Sequence, residues 1–114
     1  SKKLETYAQE WADTLQSQGC SPEHREQDLY GENIAWASGV RLTPERVVAM
    51  WGEEREFYDY GSNSCEEGKV CGHYTQVVWE DTRRVGCAVA RCEKSEVWVC
   101  NYDPPGNWVG EKPY

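Results

Sequence analysis

Six cysteines in 114 residues constrain this chain more than any other feature: Cys20, Cys65, Cys71, Cys87, Cys92 and Cys100. In so short a chain that number points to a disulfide framework formed in an oxidising compartment. Buried free thiols or a zinc site are the alternatives. No two of the six form a C-x-x-C pair, the close spacing that zinc sites favour. The even number leaves no obligatory free thiol, but spacing alone leaves the pairing open. The length is that of a single domain spanning 1–114 with one core.

Charge narrows the range of partners. Twenty acidic residues against twelve basic ones give a net charge of −8. Such a chain is repelled by nucleic-acid phosphates and by anionic membrane surfaces. No apolar run is long enough for a transmembrane segment. The chain does not open with a secretory leader, so secretion would require that a leader has already been removed. There is no N-x-[ST] acceptor for glycosylation.

Periodicity divides the chain into a helical first half and a strand-rich end. Leu4, Tyr7, Ala8, Trp11, Ala12 and Leu15 recur at helical spacing, and Gly19 is a stop signal. Residues 21–30 are polar and contain Pro22, which predicts a loop. A short helical turn is expected over 31–37. Thr43 and Pro44 suit the cap and first position of a second helix, whose face carries Val47, Met50, Trp51, Glu54 and Tyr58. Residues 61–72 read as a loop. Strands are expected over 74–79, 85–90 and 97–102, with a turn at Arg83, Arg84 and Gly86 and a hairpin at Lys94 and Ser95. Residues 103–114 read as an ordered tail without regular structure. Helices followed by an antiparallel sheet define an α+β class.

Few residues carry chemistry. Glu54 sits on the apolar face of its helix, where a carboxylate is either partnered or at the rim. His24 and His73 are the two histidines; the first falls in a loop, the second at the start of an expected strand. Taken alone, each reads more readily as a solvated polar residue than as a ligand. Glu32, in Gly31-Glu32-Asn33, could be a carboxylate favoured by a helix dipole. Spacing alone does not unite these four. No H-E-x-x-H helix or G-x-S-x-G elbow is present.

Three motifs, together with Gly110 and Pro113-Tyr114 near the end, resemble a known family. Gly72-His73-Tyr74-Thr75-Gln76-Val77-Val78-Trp79, Cys100-Asn101-Tyr102-Asp103-Pro104-Pro105-Gly106-Asn107 and Gly31-Glu32-Asn33 look like the signatures of the CAP superfamily. That superfamily comprises the cysteine-rich secretory proteins, antigen-five and plant pathogenesis-related class one proteins. The order of the cysteines fits the pathogenesis-related subgroup. The resemblance implies a secreted, extracellular α-β-α sandwich of three layers with a small antiparallel sheet. It implies disulfides Cys20–Cys92, Cys65–Cys71 and Cys87–Cys100, the first closing the longest loop and worth about 4 kcal/mol. It also implies a first family helix, carrying H-N-x-x-R, that would precede Ser1. On this reading the chain is a shortened form whose uncovered apolar surface could take a partner chain.

The same resemblance implies a cleft holding His24, Glu32, Glu54 and His73. In it the histidines would bind zinc or another divalent metal weakly, with the glutamates as supporting groups. Family relatives differ in activity. A sterol- or lipid-binding defence protein is the first expectation, with Phe57, Tyr58 and Tyr60 as ligand contacts; ordinary packing is the alternative role for these rings. A metal-dependent protease is a second, and enzymatic activity is the less favoured outcome. Release of residues 104–114 as a signalling peptide is a third.

Overall fold

A computed structural model describes residues 1–114. Helix α1 (Lys2–Ser17) begins at Ser1, whose hydroxyl accepts the Leu4 N–H. Strand β1 is Gly31–Ser38, and α2 (Pro44–Gly52) follows with Thr43 as its cap. A 3-10 turn over Glu53–Phe57 leads to the short strands β2 (Tyr58–Asp59) and β3 (Ser64–Cys65). Helix α3 (Gly72–Val77) precedes the long hairpin of β4 (Arg84–Arg91) and β5 (Ser95–Asp103). The sheet order is β1-β5-β4, antiparallel throughout, and β2 pairs with β3 in a separate ribbon.

Strand β5 is central, and residues Glu96–Tyr102 are all buried. Because strand side chains alternate, it supplies both cores. Val97 and Val99 join Ala8, Ala12, Leu15, Ile34, Ala88 and Ala90 on the α1 side. Trp98, Cys100 and Tyr102 join Ala35, Val47 and Trp51 on the α2 side. This is the three-layer α-β-α arrangement expected. Close approach of α1 requires Gly86 on β4, where a Cβ would lie 2.3 Å from the Glu5 nitrogen. All six cysteines are bridged, as Cys20–Cys92, Cys65–Cys71 and Cys87–Cys100. No helix is long and apolar enough to cross a membrane.

Several local expectations are corrected. Residues 31–38 form an edge strand, not a helical turn; pairing with β5 along eight residues overrides the weak local preference. Residues 74–79 are not a strand. Despite Thr75, Val77 and Val78, the segment folds as α3, with Tyr74 and Gln76 buried, so His73 lies in a helix. The second helix ends at Gly52, and Tyr58 lies beyond it in β2. Arg84 and Gly86 belong to β4 rather than to a turn, and the 61–72 loop includes β3.

Glu96 is fully buried on β5. Its carboxylate accepts hydrogen bonds from the Leu42 N–H (2.6 Å), Trp98 Nε1 (3.0 Å) and Arg91 Nε (3.0 Å). Burial opposes its ionisation, but these donors and the Arg91 charge prevail and hold its pKa below the ordinary carboxylate value. A pKa lower in the folded than in the unfolded chain stabilises the fold above the unfolded value. That contribution is lost as pH falls through the depressed folded value. Glu96→Gln is expected to cost on the order of 2 kcal/mol at neutral pH, the scale of a hydrogen bond to an ionised group. Denaturant titrations of both forms across the acidic range should show the difference shrinking toward low pH.

Candidate functional site

Each histidine is held by one carboxylate through the same ring atom. His24 Nδ1 lies 2.8 Å from Glu32 Oε1, and His73 Nδ1 lies 2.7 Å from Glu54 Oε2. A carboxylate can only accept here, so Nδ1 carries the proton in each neutral ring and Nε2 carries the lone pair. The carboxylates are well covered, Glu32 at 5% and Glu54 at 16% side-chain exposure. His24 and His73 line one cleft of about 260 Å³, together with Glu32, Asn33, Val70, Gly72 and Asn107. Glu54 stands behind His73, off the cleft lining. The structure therefore forms two separate His–carboxylate pairs, with both histidines on the lining of one cleft.

The supports differ on the two sides. His73 stacks on Trp51, with ring centroids 5.8 Å apart and planes 9° from parallel. Glu54 Oε1 also accepts the Tyr74 N–H at 3.0 Å, satisfying an amide in the first turn of α3. Glu54, expected on the apolar face of the second helix, lies past its end in the 3-10 turn, and its carboxylate is partnered rather than at the rim. On the other side, Glu32 Oε1 accepts the Arg25 N–H at 3.0 Å and Oε2 accepts from Asn101 Nδ2 at 3.3 Å. The 21–30 loop is fastened to α1: Trp11 Nε1 donates to the Glu23 carbonyl, and the Arg25 guanidinium lies 4.0 Å over the Tyr7 ring.

Asn33, Gln76 and Asn101 were not singled out from sequence, though all three lie inside the quoted motifs. Asn33 Nδ2 donates to the His73 carbonyl (3.1 Å) and to the Tyr102 hydroxyl (3.2 Å). Burial pushes the Tyr102 pKa up to about 12, against the opposing hydrogen bond from Asn33, so the phenol stays neutral. Gln76 Oε1 accepts the Gly106 N–H at 3.1 Å and closely approaches Gly31. The three motifs meet through these buried amides.

Phe57, Tyr58 and Tyr60 lie away from the histidine cleft. Lys69 Nζ sits 4.8 Å over Phe57, Tyr58 packs 5.9 Å from Tyr74, and Tyr60 stacks on Tyr114 at 5.0 Å. The tail is docked. Pro113 is buried and its carbonyl accepts the Glu80 N–H, while Asn107 accepts from Thr75 and donates to Gly72. The cleft lining contains no serine, threonine or cysteine.

A family model described as "CAP: Cysteine-rich secretory protein family" matches residues 1–102. The chain belongs to the CAP family. It is 50% identical over 114 residues to the pathogenesis-related protein PR-1 of Medicago truncatula, covering 98% of this chain and 65% of that protein. The chain thus spans slightly less than two thirds of that relative. Venom allergen-like protein 4 of Schistosoma mansoni has a similar structure, with a TM-score of 0.78 and 29% identity over the whole chain and 70% of that protein. So does NaASP2, solved with Zn2+, at a TM-score of 0.74 and 27% identity over the whole chain and 63% of that protein. These likenesses agree with the CAP α+β architecture and with pathogenesis-related kinship.

The CAP motifs converge where Gly31 meets Gln76. A Cβ at position 31 would fall 2.0 Å from Gln76 Oε1. Gly31→Ala is expected to destabilise the fold by about 1–3 kcal/mol, as overpacking does. Amide exchange should identify the cause: Gly106 N–H, which depends on the Gln76 oxygen, should exchange faster than the β5 amides.

Proposed function

We propose that this chain acts as an extracellular, pathogenesis-related defence or host-interaction domain, folding as one unit over 1–114, whose cleft binds a divalent cation. The observation that carries the reading is the matched pair of Nδ1–carboxylate hydrogen bonds, which leaves Nε2 of both His24 and His73 as lone-pair donors. The donor chemistry fits zinc, which favours imidazole backed by a carboxylate. A donor set of two imidazoles, with the remaining positions open to water, also fits weak binding. A bound cation would supply positive charge and open coordination positions for water or an anionic ligand. Glu32 and Glu54 would orient the rings and offset part of that charge. Three disulfides and the secretory family support an oxidising, extracellular location.

Calorimetric titration with zinc is expected to give one site of modest affinity. The His24→Ala/His73→Ala double variant should lose it, and Glu32→Gln should weaken it by about ten- to a hundred-fold. Affinity should fall on acidification, because protons compete for the ligating nitrogens. Undiminished binding in a folded double variant would overturn the reading.

Sterol or other lipid binding through Phe57, Tyr58 and Tyr60 draws less support. Phe57 and Tyr58 border a cleft of about 370 Å³ that also carries Glu56, Asp59, Ser62, Ser64 and Glu66, and Tyr60 lies outside it. A ligand would have to displace Lys69 from Phe57 or Tyr114 from Tyr60. Retention of labelled cholesterol unchanged by Tyr58→Ala with Tyr60→Ala would remove the segment from that role. A protease reading lacks a side-chain nucleophile in the cleft and would depend on metal-activated water. A signalling role for residues 104–114 would require breaking the tail's contacts with Gln76, Glu80, Tyr60 and Tyr74.

A further inference from the structure

The geometry points to Tyr60 and Tyr114 as a site of oxidative cross-linking, joined ring to ring as dityrosine by a haem peroxidase with hydrogen peroxide. Their rings are stacked, with centroids 5.0 Å apart and planes 13° from parallel. Both are exposed, at 41% and 48%, so an oxidant reaches them without unfolding the chain. This inference is independent of the histidine cleft and of any metal there.

Each phenol also has a hydrogen-bond partner beside it. The Tyr60 hydroxyl donates to the main-chain oxygen of Tyr114. The Tyr114 hydroxyl shares a 2.8 Å hydrogen bond with the Tyr74 hydroxyl. Tyr74 is itself buried, and desolvation together with the Tyr114 hydrogen bond pushes its pKa up to about 12. It remains a neutral phenol under ordinary conditions. The Lys112 ammonium lies 4.4 Å over the Tyr60 ring and draws electron density from it, so Tyr114 is the easier ring to oxidise first.

The other close tyrosine pairs are less suited. Tyr7 and Tyr30 have centroids 4.9 Å apart but meet edge-on at 79°, and the Arg25 guanidinium covers Tyr7. Tyr58 and Tyr74 are 5.9 Å apart and tilted by 48°, with Tyr74 buried. Coupling takes a lateral shift of one ring over the other, from stacked to ortho-to-ortho contact, and both rings are exposed enough to make it.

The chemistry balances. Each phenol loses one electron and its hydroxyl proton, giving two phenoxyl radicals. The radicals couple through a new carbon–carbon bond between ortho positions. Each ortho hydrogen is then lost as a proton while the oxygen regains one, restoring two phenols. In total two electrons and two protons leave, and they reduce one hydrogen peroxide to two waters. The bond closes a loop between positions 54 residues apart and fixes the tail covalently beside β2 and β3.

Dilute, disulfide-intact protein treated with a haem peroxidase and hydrogen peroxide tests this. The monomer is expected to lose the mass of two hydrogen atoms and gain dityrosine fluorescence. Tandem mass spectrometry should place the link between Tyr60 and Tyr114. Tyr60→Phe and Tyr114→Phe retain a stackable ring and should each abolish the intramolecular product, whereas Tyr30→Phe should leave it intact. A link mapped to another pair, formation only between separate molecules, or an undiminished product in folded Tyr60→Phe would overturn the assignment.

Discussion

Strand β5 has to satisfy two hydrophobic layers and two hydrogen-bonded neighbours at once. It pairs with β1 on one edge and β4 on the other, and its side chains enter both cores. Moving its register by one residue would exchange the two faces. Val97 and Val99 would leave α1, while Trp98, Cys100 and Tyr102 would leave the opposite layer. The Cys87–Cys100 bond joins residues directly opposite in the β4–β5 pairing and opposes such a slip. Asn101 sits on the same strand and reaches Glu32, so the alignment that builds the core also positions one half of the cleft.

Three covered carboxylates repeat one device. Glu32, Glu54 and Glu96 accept the main-chain N–H of Arg25, Tyr74 and Leu42, respectively. Each also accepts from a side chain: His24, His73, or Trp98 and Arg91. A buried carboxylate is costly unless its oxygens are supplied with donors. Here, supplying them fixes the 21–30 loop, the first turn of α3 and the connection before α2. The donor groups are separated widely in sequence from their carboxylates in several cases, so these contacts bind local segments into the tertiary structure.

Legibility in the sequence followed the range of the interaction that decides each element. Leu4, Ala8, Ala12 and Leu15 bury themselves on one face of α1, as their spacing predicts. Thr43 caps α2, and β4 and β5 cover the short runs expected as strands over 85–90 and 97–102. The 31–37 segment, expected as a helical turn, and 74–79, expected as a strand, take other conformations because these depend on distant partners. The first gains its structure along β5; the second is positioned by Glu54 and by the Cys65–Cys71 bridge preceding it. Glu54 was visible as an anomaly on an apolar face, but its pairing with His73 spans 19 residues and no periodicity reveals it. Asn33, Gln76 and Asn101 gave no separate signal as polar residues within their motifs. The family resemblance supplied the proximity of the histidines and glutamates that spacing could not.

The two halves of the cleft differ in how much order ligand binding would demand. His73 is restrained by a short helix, a stacked tryptophan and Glu54. His24 lies in a loop and its side chain is 66% exposed, with Glu32 as its principal anchor. Loop ordering carries a conformational entropy cost, so prior restraint favours binding in the restrained geometry. The Cys20–Cys92 bridge fixes the chain before His24, Trp11 and Arg25 hold the neighbouring backbone against α1, and β1 fixes the chain beyond it. Although α1 contributes no side chain to the cleft lining, its packing preorganises the more exposed histidine. The hydrophobic layer beneath β5 thus reaches the site through the placement of a loop, while the opposite layer reaches it through Trp51.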